Sequence, residues 1–217
     1  MRKADLSLYL VTDREMMKEN SLPELVQIAA ENGVTTVQLR EKNASTREFI
    51  RLGFELKKVL DPLHIPLIIN DRVDVALAVD AAGVHLGQND MPVSIARNLL
   101  GRDKIIGLSV ETEEDLETVD ALQPDYLGVS PIYSTPTKTD TKREWGLTGL
   151  KMISERTSYP LVAIGGINIG NAQSILKNGA DGLAVVSAIC ASEDPGCATA
   201  ELRKQIDAII KPQAHGI

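Results

Sequence analysis

Along this chain, short apolar runs typical of strands alternate with segments whose apolar residues recur at helical spacing. This pattern predicts strands and helices along most of the length. The clearest unit is the stretch 65–90, which reads as strand, helix and strand. The pattern predicts eight strands in all, at 6–12, 34–42, 65–70, 84–86, 104–110, 124–133, 160–166 and 180–189. It predicts helices at 21–33, 45–60, 72–83, 92–101, 111–123, 146–158, 168–179 and near 195–210.

Strict alternation of strands and helices is typical of α/β proteins. At a length of 217 residues it favours a single (β/α)₈ TIM barrel, near the short end of that fold's range. An open doubly wound sheet is the alternative, but no Gly-rich dinucleotide-binding turn follows the first strand. Because no linker or change of composition interrupts the pattern, we expect one domain over residues 1–217.

Composition and charge narrow the class of protein. Hydrophobic residues make up 43% of the chain, enough for one buried core, and no apolar run is long enough to span a membrane. Cys190 and Cys197 match no zinc or redox motif, so the sequence predicts reduced thiols in a cytoplasmic protein. A net charge of −7 without a basic tract argues against nucleic acid or an anionic membrane as partner. The oligomeric state stays open, and an oligomer is compatible with the sequence.

Two carboxylates, Asp71 and Asp90, follow the two strands of the 65–90 unit. Consecutive strands of a βαβ unit run parallel, so both carboxylates should emerge on the same face of the sheet. Two acids there could hold Mg²⁺, which commonly takes one or two carboxylates together with phosphate oxygens. In the alternative interpretation, Asp71 caps the following helix and Asp90 only forms a turn.

Other polar residues fall at the predicted carboxyl ends of the strands, where this fold builds its sites. Gln38, Arg40 and Lys42 alternate along the second predicted strand, so all three should point the same way. A closed barrel has no exposed edge that would explain them. Asn70 ends the third predicted strand and Ser109 lies near the end of the fifth.

Loops after the last three strands offer further candidates. The segment 134–146 is long and rich in hydroxyls and carries Lys138, which favours a functional lid, although a solvated loop would have the same composition. The seventh strand runs into Gly165-Gly166 and the eighth into Val186-Ser187. Barrels of this type commonly bind phosphate at these two loops, through backbone N–H groups and a helix N-terminus.

No catalytic triad or Cys-His pair can be assembled from the sequence, and His85, within a predicted strand, is interpreted as a packed residue. The cations Arg40, Lys42 and Lys138 could surround a group more highly charged than a monophosphate. Together with a Mg²⁺ site, they indicate displacement of pyrophosphate, with the second substrate anchored by its monophosphate.

Six short motifs of the sequence resemble those of the thiamine-phosphate synthase family. The resemblance covers nearly the whole chain in order, through QLREK at 38–42, IIND at 68–71, HLGQND at 85–90, STPTKTD at 134–140, IGGI at 164–167 and VVSAI at 185–189. It implies a (β/α)₈ barrel that joins a pyrimidine methyl diphosphate to a thiazole ethyl phosphate. The implied reaction is dissociative and Mg²⁺-assisted, and it releases pyrophosphate and thiamine phosphate.

The resemblance also implies roles for individual residues. The metal ligands would be Asp71 and Asp90, and the catalytic residues would be Arg40, Lys42, Ser109 and Lys138. The pyrimidine diphosphate would be bound by Gln38, Leu39, Arg40, Glu41, Lys42, Asn70, Ser109 and Lys138. The thiazole phosphate would be bound by Thr135, Pro136, Thr137, Gly166, Val186 and Ser187.

Two other activities compete with this interpretation. A barrel isomerase acting on a sugar or indole phosphate would share the phosphate site, but it needs an acid–base pair and no diphosphate clamp. A thiazole-phosphate tautomerase or a regulatory relative should lack the metal carboxylates or the TPTK loop, and both are present in the sequence.

Overall fold

Eight parallel strands close into a barrel in the computed structural model, which describes residues 4–134 and 144–210. Each strand pairs with the next in sequence, and the first pairs with the last. The strands are β1 Leu8–Val11, β2 Thr36–Leu39, β3 Leu67–Asn70, β4 Gly83–Leu86, β5 Ile105–Val110, β6 Tyr126–Val129, β7 Leu161–Ile164 and β8 Gly182–Val185. The predicted TIM barrel is therefore confirmed.

Helices surround the barrel. They are α1 Leu22–Glu31, α2 Thr46–Leu60, α3 Val73–Ala78, α4 Val93–Leu100, α5 Glu113–Leu122, α6 Gly146–Arg156, α7 Ala172–Lys177, α8 Ser187–Cys190 and α9 Pro195–Asp207. Capping boxes at Ser21 and Thr112 begin α1 and α5, and Ser45 caps α2. Each cap satisfies backbone N–H groups that have no partner within the helix. Among the described residues, no helix is long and apolar enough to cross a membrane.

The apolar side chains form two layers that follow the alternation of the strands. The larger layer lies between the strands and the helices, and it includes Leu10, Leu39 and Val84. A smaller layer fills the inside of the barrel, with Tyr9, Tyr126 and neighbouring apolar residues. Because successive residues of a strand point to opposite sides, this interior layer sets the floor of any site at the barrel mouth.

Several strands are shorter than the sequence pattern predicts. The second strand ends at Leu39, so Arg40 and Lys42 lie in the loop that follows it rather than on the strand. The eighth strand ends at Val185, and the remainder of the predicted strand turns into the short helix α8. Gly83, predicted to end a helix, begins β4 instead. A Cβ at this position would lie 2.1 Å from Ile105 O on the adjacent strand, so the close pairing of β4 with β5 requires glycine here.

Candidate active site

A cavity of about 370 Å³ opens at the carboxyl ends of the strands. Ten of the residues predicted for the site line it, namely Gln38, Arg40, Lys42, Asn70, Asp71, Asp90, Ser109, Gly166, Val186 and Ser187. Thr135, Pro136, Thr137 and Lys138 lie outside the described residues. The Leu39 and Glu41 side chains are not part of the cavity lining.

The two cations of the β2 loop are held from neighbouring loops. The Arg40 N–H donates to Thr12 Oγ1 at 3.1 Å, and the Arg40 guanidinium lies 3.9 Å from Asp13. Lys42 Nζ donates to Asp71 Oδ2 at 2.5 Å. The loop after β2 is therefore fixed to the loops after β1 and β3, and it presents two positive charges to the cavity.

Leu39 and Glu41 alternate with these residues and point elsewhere. Leu39 is fully buried in the layer between strands and helices. Glu41 forms two hydrogen bonds of 2.7 Å with Arg14, one to Nε and one to a terminal nitrogen. The Glu41 carboxylate thus fixes the backbone between Arg40 and Lys42 from outside the cavity.

Asp71 adopts an unusual backbone conformation at the end of β3. Its φ angle is +62°, in the left-handed region that aspartate tolerates better than most residues, and its N–H donates to His85 O at 2.8 Å. The helix α3 has Arg72 at its N-cap without a side-chain cap. Asp71 therefore does not cap that helix, and the interpretation of Asp71 as a helix cap is wrong.

Asp90 makes a turn contact and also faces the cavity. Its Oδ2 accepts the Gly87 N–H at 2.7 Å. Burial and the adjacent Asp71 carboxyl raise the pKa of Asp90, while the Gly87 N–H and Lys42 oppose the rise. Two adjacent carboxylates form the kind of oxygen-ligand pair that a hard divalent cation stabilises. These residues therefore fit the predicted Mg²⁺.

A row of five hydrogen-bonded side chains, the polar row, forms the cavity floor: Gln38, Tyr9, Tyr126, His85 and Ser109. Neighbouring members of the row are 2.9 to 3.0 Å apart. His85 is only partly buried and lines the cavity, so it is more than the packed residue that the sequence predicted. Of the five residues, only Gln38 and Ser109 at the two ends of the row were predicted from the sequence to belong to the site.

The rim after β7 depends on two glycines with positive φ. Gly165 and Gly166 have φ angles of +101° and +65°. A Cβ at Gly166 would lie 2.8 Å from Tyr133 Cβ and 3.0 Å from Ser134 O. Glycine is needed here by the close contact with the β6 loop as well as by its backbone conformation.

A short extra helix follows β8, as is frequent at the phosphate sites of this fold. Val186 and Ser187 line the cavity where α8 begins. Two acids that the sequence analysis did not single out, Glu111 and Asp115, also line the cavity, near the start of α5. Asp115 is part of the α5 capping box, where its carboxylate accepts backbone N–H groups.

The closed barrel and the carboxylates and cations at its mouth define the class as a TIM-barrel enzyme for anionic small molecules. The family described as thiamine monophosphate synthase matches residues 8–189. The chain belongs to this family.

Relatives of known name cover nearly the whole chain. A thiamine-phosphate synthase from Albidiferax ferrireducens is 56% identical over 209 residues, which are 96% of this chain and 95% of the relative. One from Vibrio campbellii is 56% identical over 192 residues, 88% of this chain and 94% of the relative. These matches confirm the predictions of a transferase and of a thiamine-phosphate synthase.

Solved structures agree with the fold. Thiamine phosphate pyrophosphorylase from Pyrococcus furiosus is 42% identical, with a TM-score of 0.88 over 96% of this chain and 98% of that chain. A 3-hexulose-6-phosphate synthase has a TM-score of 0.69 at 20% identity, covering 92% of this chain and 99% of that chain. At this level of identity the second likeness shows the fold alone.

Proposed function

We propose that this protein joins 4-amino-2-methyl-5-(diphosphooxymethyl)pyrimidine to a thiazole ethyl phosphate by a Mg²⁺-assisted dissociative substitution. The pyrophosphate leaves first, and the thiazole nitrogen then forms a bond to the pyrimidine methyl carbon. The observation that carries the proposal is the placement of Arg40, Lys42, Asp71 and Asp90 around one cavity. A diphosphate bound with a metal ion needs positive side chains for its oxygens and carboxylates for the metal within the same cavity.

The diphosphate would be held by the β2 and β3 loops. Arg40 and Lys42 supply positive charge, and Asn70, which is buried at the end of β3, supplies an amide. Asp71 and Asp90 would hold the Mg²⁺, which when bound supplies further positive charge to the leaving group. Lys138 is proposed to join this group, and it lies outside the described residues.

The thiazole phosphate would occupy the opposite rim. Gly166, Val186 and Ser187 line the cavity there, and backbone N–H groups at loops after β7 and β8 are a frequent phosphate site in barrels. Thr135, Pro136 and Thr137 are proposed to complete this subsite, and they too lie outside the described residues. The two substrates would therefore enter from different sides and meet over the polar row.

This chemistry asks little of a general base, because the pyrophosphate departs before the new bond forms. The protein must instead stabilise charge on the leaving group and exclude water from the cationic intermediate. The interior of the cavity suits the second task, since the apolar side chains of Val162, Ile164 and Ala184 from β7 and β8 line it.

The decisive experiment measures pyrophosphate and thiamine phosphate together. The purified protein should release one pyrophosphate for each thiamine phosphate formed when both substrates and Mg²⁺ are present. Chelation of Mg²⁺ should abolish both products. Isomerisation of a sugar phosphate, or tautomerisation of the thiazole phosphate without pyrophosphate release, would contradict the proposal.

A further inference from the structure

The polar row connects five strands across the barrel floor. Its members come from β2, β1, β6, β4 and β5 in that order, from Gln38 to Ser109. Gln38 Nε2 donates to Tyr9 Oη, and Tyr9 Oη lies 2.9 Å from Tyr126 Oη. Tyr126 Oη lies 2.9 Å from His85 Nδ1, and His85 Nε2 lies 3.0 Å from Ser109 Oγ.

Each link of the row determines the next, because a tyrosine hydroxyl carries one proton and a neutral imidazole carries one N–H. When the Gln38 amide donates to Tyr9, the Tyr9 proton is directed to Tyr126. The Tyr126 proton is then directed to His85 Nδ1, which must accept it. The His85 proton therefore resides on Nε2.

The last link sets the state of Ser109. Nε2–H of His85 donates to Ser109 Oγ, so the serine keeps its own proton for a partner in the cavity. If the row runs in the opposite direction, the Gln38 amide is rotated and His85 carries its proton on Nδ1. The Ser109 hydroxyl then donates to His85 Nε2. Ser109 would then offer only lone pairs to a ligand.

Burial keeps both tyrosines in the protonated form that the row requires. Burial raises the pKa of Tyr9 and of Tyr126 well above the usual tyrosine value. The two rings lie edge to face, with centroids 6.0 Å apart. The two tyrosines of the row therefore keep their protons at neutral pH.

Two strand glycines hold the rings in place. A Cβ at Gly107 would lie 2.1 Å from Tyr126 Cζ, and a Cβ at Gly128 would lie 2.8 Å from His85 Cε1. The rings of Tyr126 and His85 thus occupy the space that side chains on β5 and β6 would otherwise fill. This close packing limits alternative positions for either ring.

We propose that the polar row runs in one direction, from Gln38 to Ser109, and that Tyr9, Tyr126 and His85 are positioning residues which make Ser109 a hydrogen-bond donor to the ligand. Resting on the proposed function, this donor serves the diphosphate substrate, because ionised phosphate oxygens carry no proton and can only accept hydrogen bonds. The direction also leaves the Gln38 amide oxygen as an acceptor. The Gln38 end of the cavity floor thus accepts hydrogen bonds from a ligand, and the Ser109 end donates them.

The first test reads the position of the proton directly. Protein labelled with ¹⁵N-histidine contains only three histidines, and His85→Gln identifies the His85 signals by their loss. At pH 7 to 8, long-range ¹H–¹⁵N correlation spectra of the wild-type protein should show His85 as the neutral tautomer protonated on Nε2. A tautomer protonated on Nδ1, an even mixture of the two, or an imidazolium would each overturn the proposal.

The second test follows the consequences for activity. Tyr126→Phe removes the donor to Nδ1, so it should abolish the fixed tautomer and lower kcat about 10-fold, the scale of one hydrogen bond. The KM for the thiazole phosphate should not change. Tyr9→Phe breaks the link to Gln38 but leaves Tyr126 able to donate to His85, so it should weaken the preference for the Nε2 tautomer without abolishing it and lower kcat only about 2-fold to 3-fold.

Tyr159→Phe is the matched control, since it removes a tyrosine hydroxyl outside the cavity. Equal kcat values for Tyr126→Phe and Tyr159→Phe would overturn the positioning role. The spectra of the wild-type protein decide the direction of the row even if Tyr126→Phe folds poorly. They also decide it if no pyrophosphate is formed, an outcome that would contradict the proposed function alone.

Discussion

Lys42 Nζ lies 2.5 Å from Asp71 Oδ2, so a cation assigned to the diphosphate directly contacts a carboxylate assigned to the metal. The same lysine opposes the rise in the pKa of Asp90 that burial and Asp71 produce. One ammonium group thus serves two carboxylates. Because a single positive charge compensates the pair only partly, we expect removal of the Asp90 carboxylate to have opposite consequences for stability and for activity.

Asp90→Asn should lower activity while leaving the protein at least as stable as the wild type without Mg²⁺. The amide keeps an oxygen for the Gly87 N–H but removes the charge that Asp71 repels. Loss of a metal ligand should reduce kcat/KM by about 100-fold or more. Asp71→Asn should lower activity to a similar extent, and asparagine tolerates the left-handed conformation, but this variant also loses the ion pair with Lys42 and should gain no stability. Initial rates across a Mg²⁺ titration and urea unfolding in EDTA test both effects.

Asp74→Asn is the control for these variants. Asp74 pairs with Arg72 at the start of α3 and does not line the cavity. Its loss should leave the Mg²⁺ dependence unchanged. Turnover close to the wild type in both Asp71→Asn and Asp90→Asn at ordinary Mg²⁺ would refute the metal assignment.

Glu41→Gln should weaken binding of the pyrimidine diphosphate without direct contact between Glu41 and the substrate. The carboxylate binds Arg14 through two hydrogen bonds and so fixes the backbone between Arg40 and Lys42. Losing a charge-assisted pair of this kind should raise KM for the diphosphate about 3-fold to 10-fold. KM for the thiazole phosphate should stay constant, which steady-state kinetics with each substrate varied in turn will show.

A double-mutant cycle separates positioning from direct binding. If Glu41 acts through Arg14, then Arg14→Gln should have the same effect, and the double variant should lose no more than either single one. Additive losses would instead assign Glu41 a contact of its own with the substrate. Glu48→Gln is the control, because Glu48 lies 3.6 Å from Arg14 but pairs more closely with Arg51.

Gly166→Ala should impair use of the thiazole phosphate. The new Cβ would press on Tyr133 and Ser134 and would displace the rim proposed to bind that phosphate. We expect KM for the thiazole phosphate to rise about 10-fold, as one hydrogen bond to the phosphate is lost. KM for the pyrimidine diphosphate should change little.

Gly101→Ala controls for backbone strain in this experiment. Gly101 has a φ of +78°, and a Cβ there would meet no atom of the described residues within 4 Å. Gly101→Ala should lose about 1 kcal/mol of stability from backbone strain, or roughly 2–4 °C in Tm, and Gly166→Ala should lose more because its Cβ also meets Tyr133 and Ser134. Only Gly166→Ala should change KM. An equal rise in both KM values of Gly166→Ala would point to general distortion of the site.

Local sequence patterns predict much of this structure because they reflect local physics. Strict alternation of strands and helices favours the barrel, and strand ends locate Asn70, Asp71 and Asp90 at its mouth. The pattern does not locate the exact end of β2, since VQLREK continues to alternate after the strand hydrogen bonds stop at Leu39. It also misses α8, because the apolar residues after Val185 suit a buried strand equally well.

The polar row could not be predicted from any one segment. Tyr9, Tyr126 and His85 are far apart in sequence, and each alone resembles a core residue of its strand. The signal lies in Gly107 and Gly128, glycines inside strands, which often mark the close approach of another group. Only the register between β4, β5 and β6 shows that His85 and Tyr126 pair with the same glycine, Gly107.

The buried tyrosines of this row should also make the protein sensitive to alkali. Burial raises the pKa of both Tyr9 and Tyr126, so below about pH 10 each is neutral in the folded and unfolded states alike. Above that pH the unfolded chain loses these protons first, and stability falls as the pH rises. Each tyrosine should contribute up to about 1.4 kcal/mol of loss per pH unit.

Urea unfolding between pH 8 and pH 11 tests this expectation. Tyr126→Phe should show a shallower decline in the free energy of unfolding above pH 10 than the wild type, since phenylalanine has no proton to lose. Tyr159→Phe should change the pH dependence of the free energy of unfolding less. Tyr159 is only half-buried, so burial raises the pKa of its hydroxyl less than it raises that of Tyr126. If Tyr126→Phe and the wild type decline in parallel, the Tyr126 hydroxyl must ionise as readily in the folded protein as in the unfolded chain. The floor of the cavity would then be open to water, and the fixed proton order of the polar row would lose its physical basis.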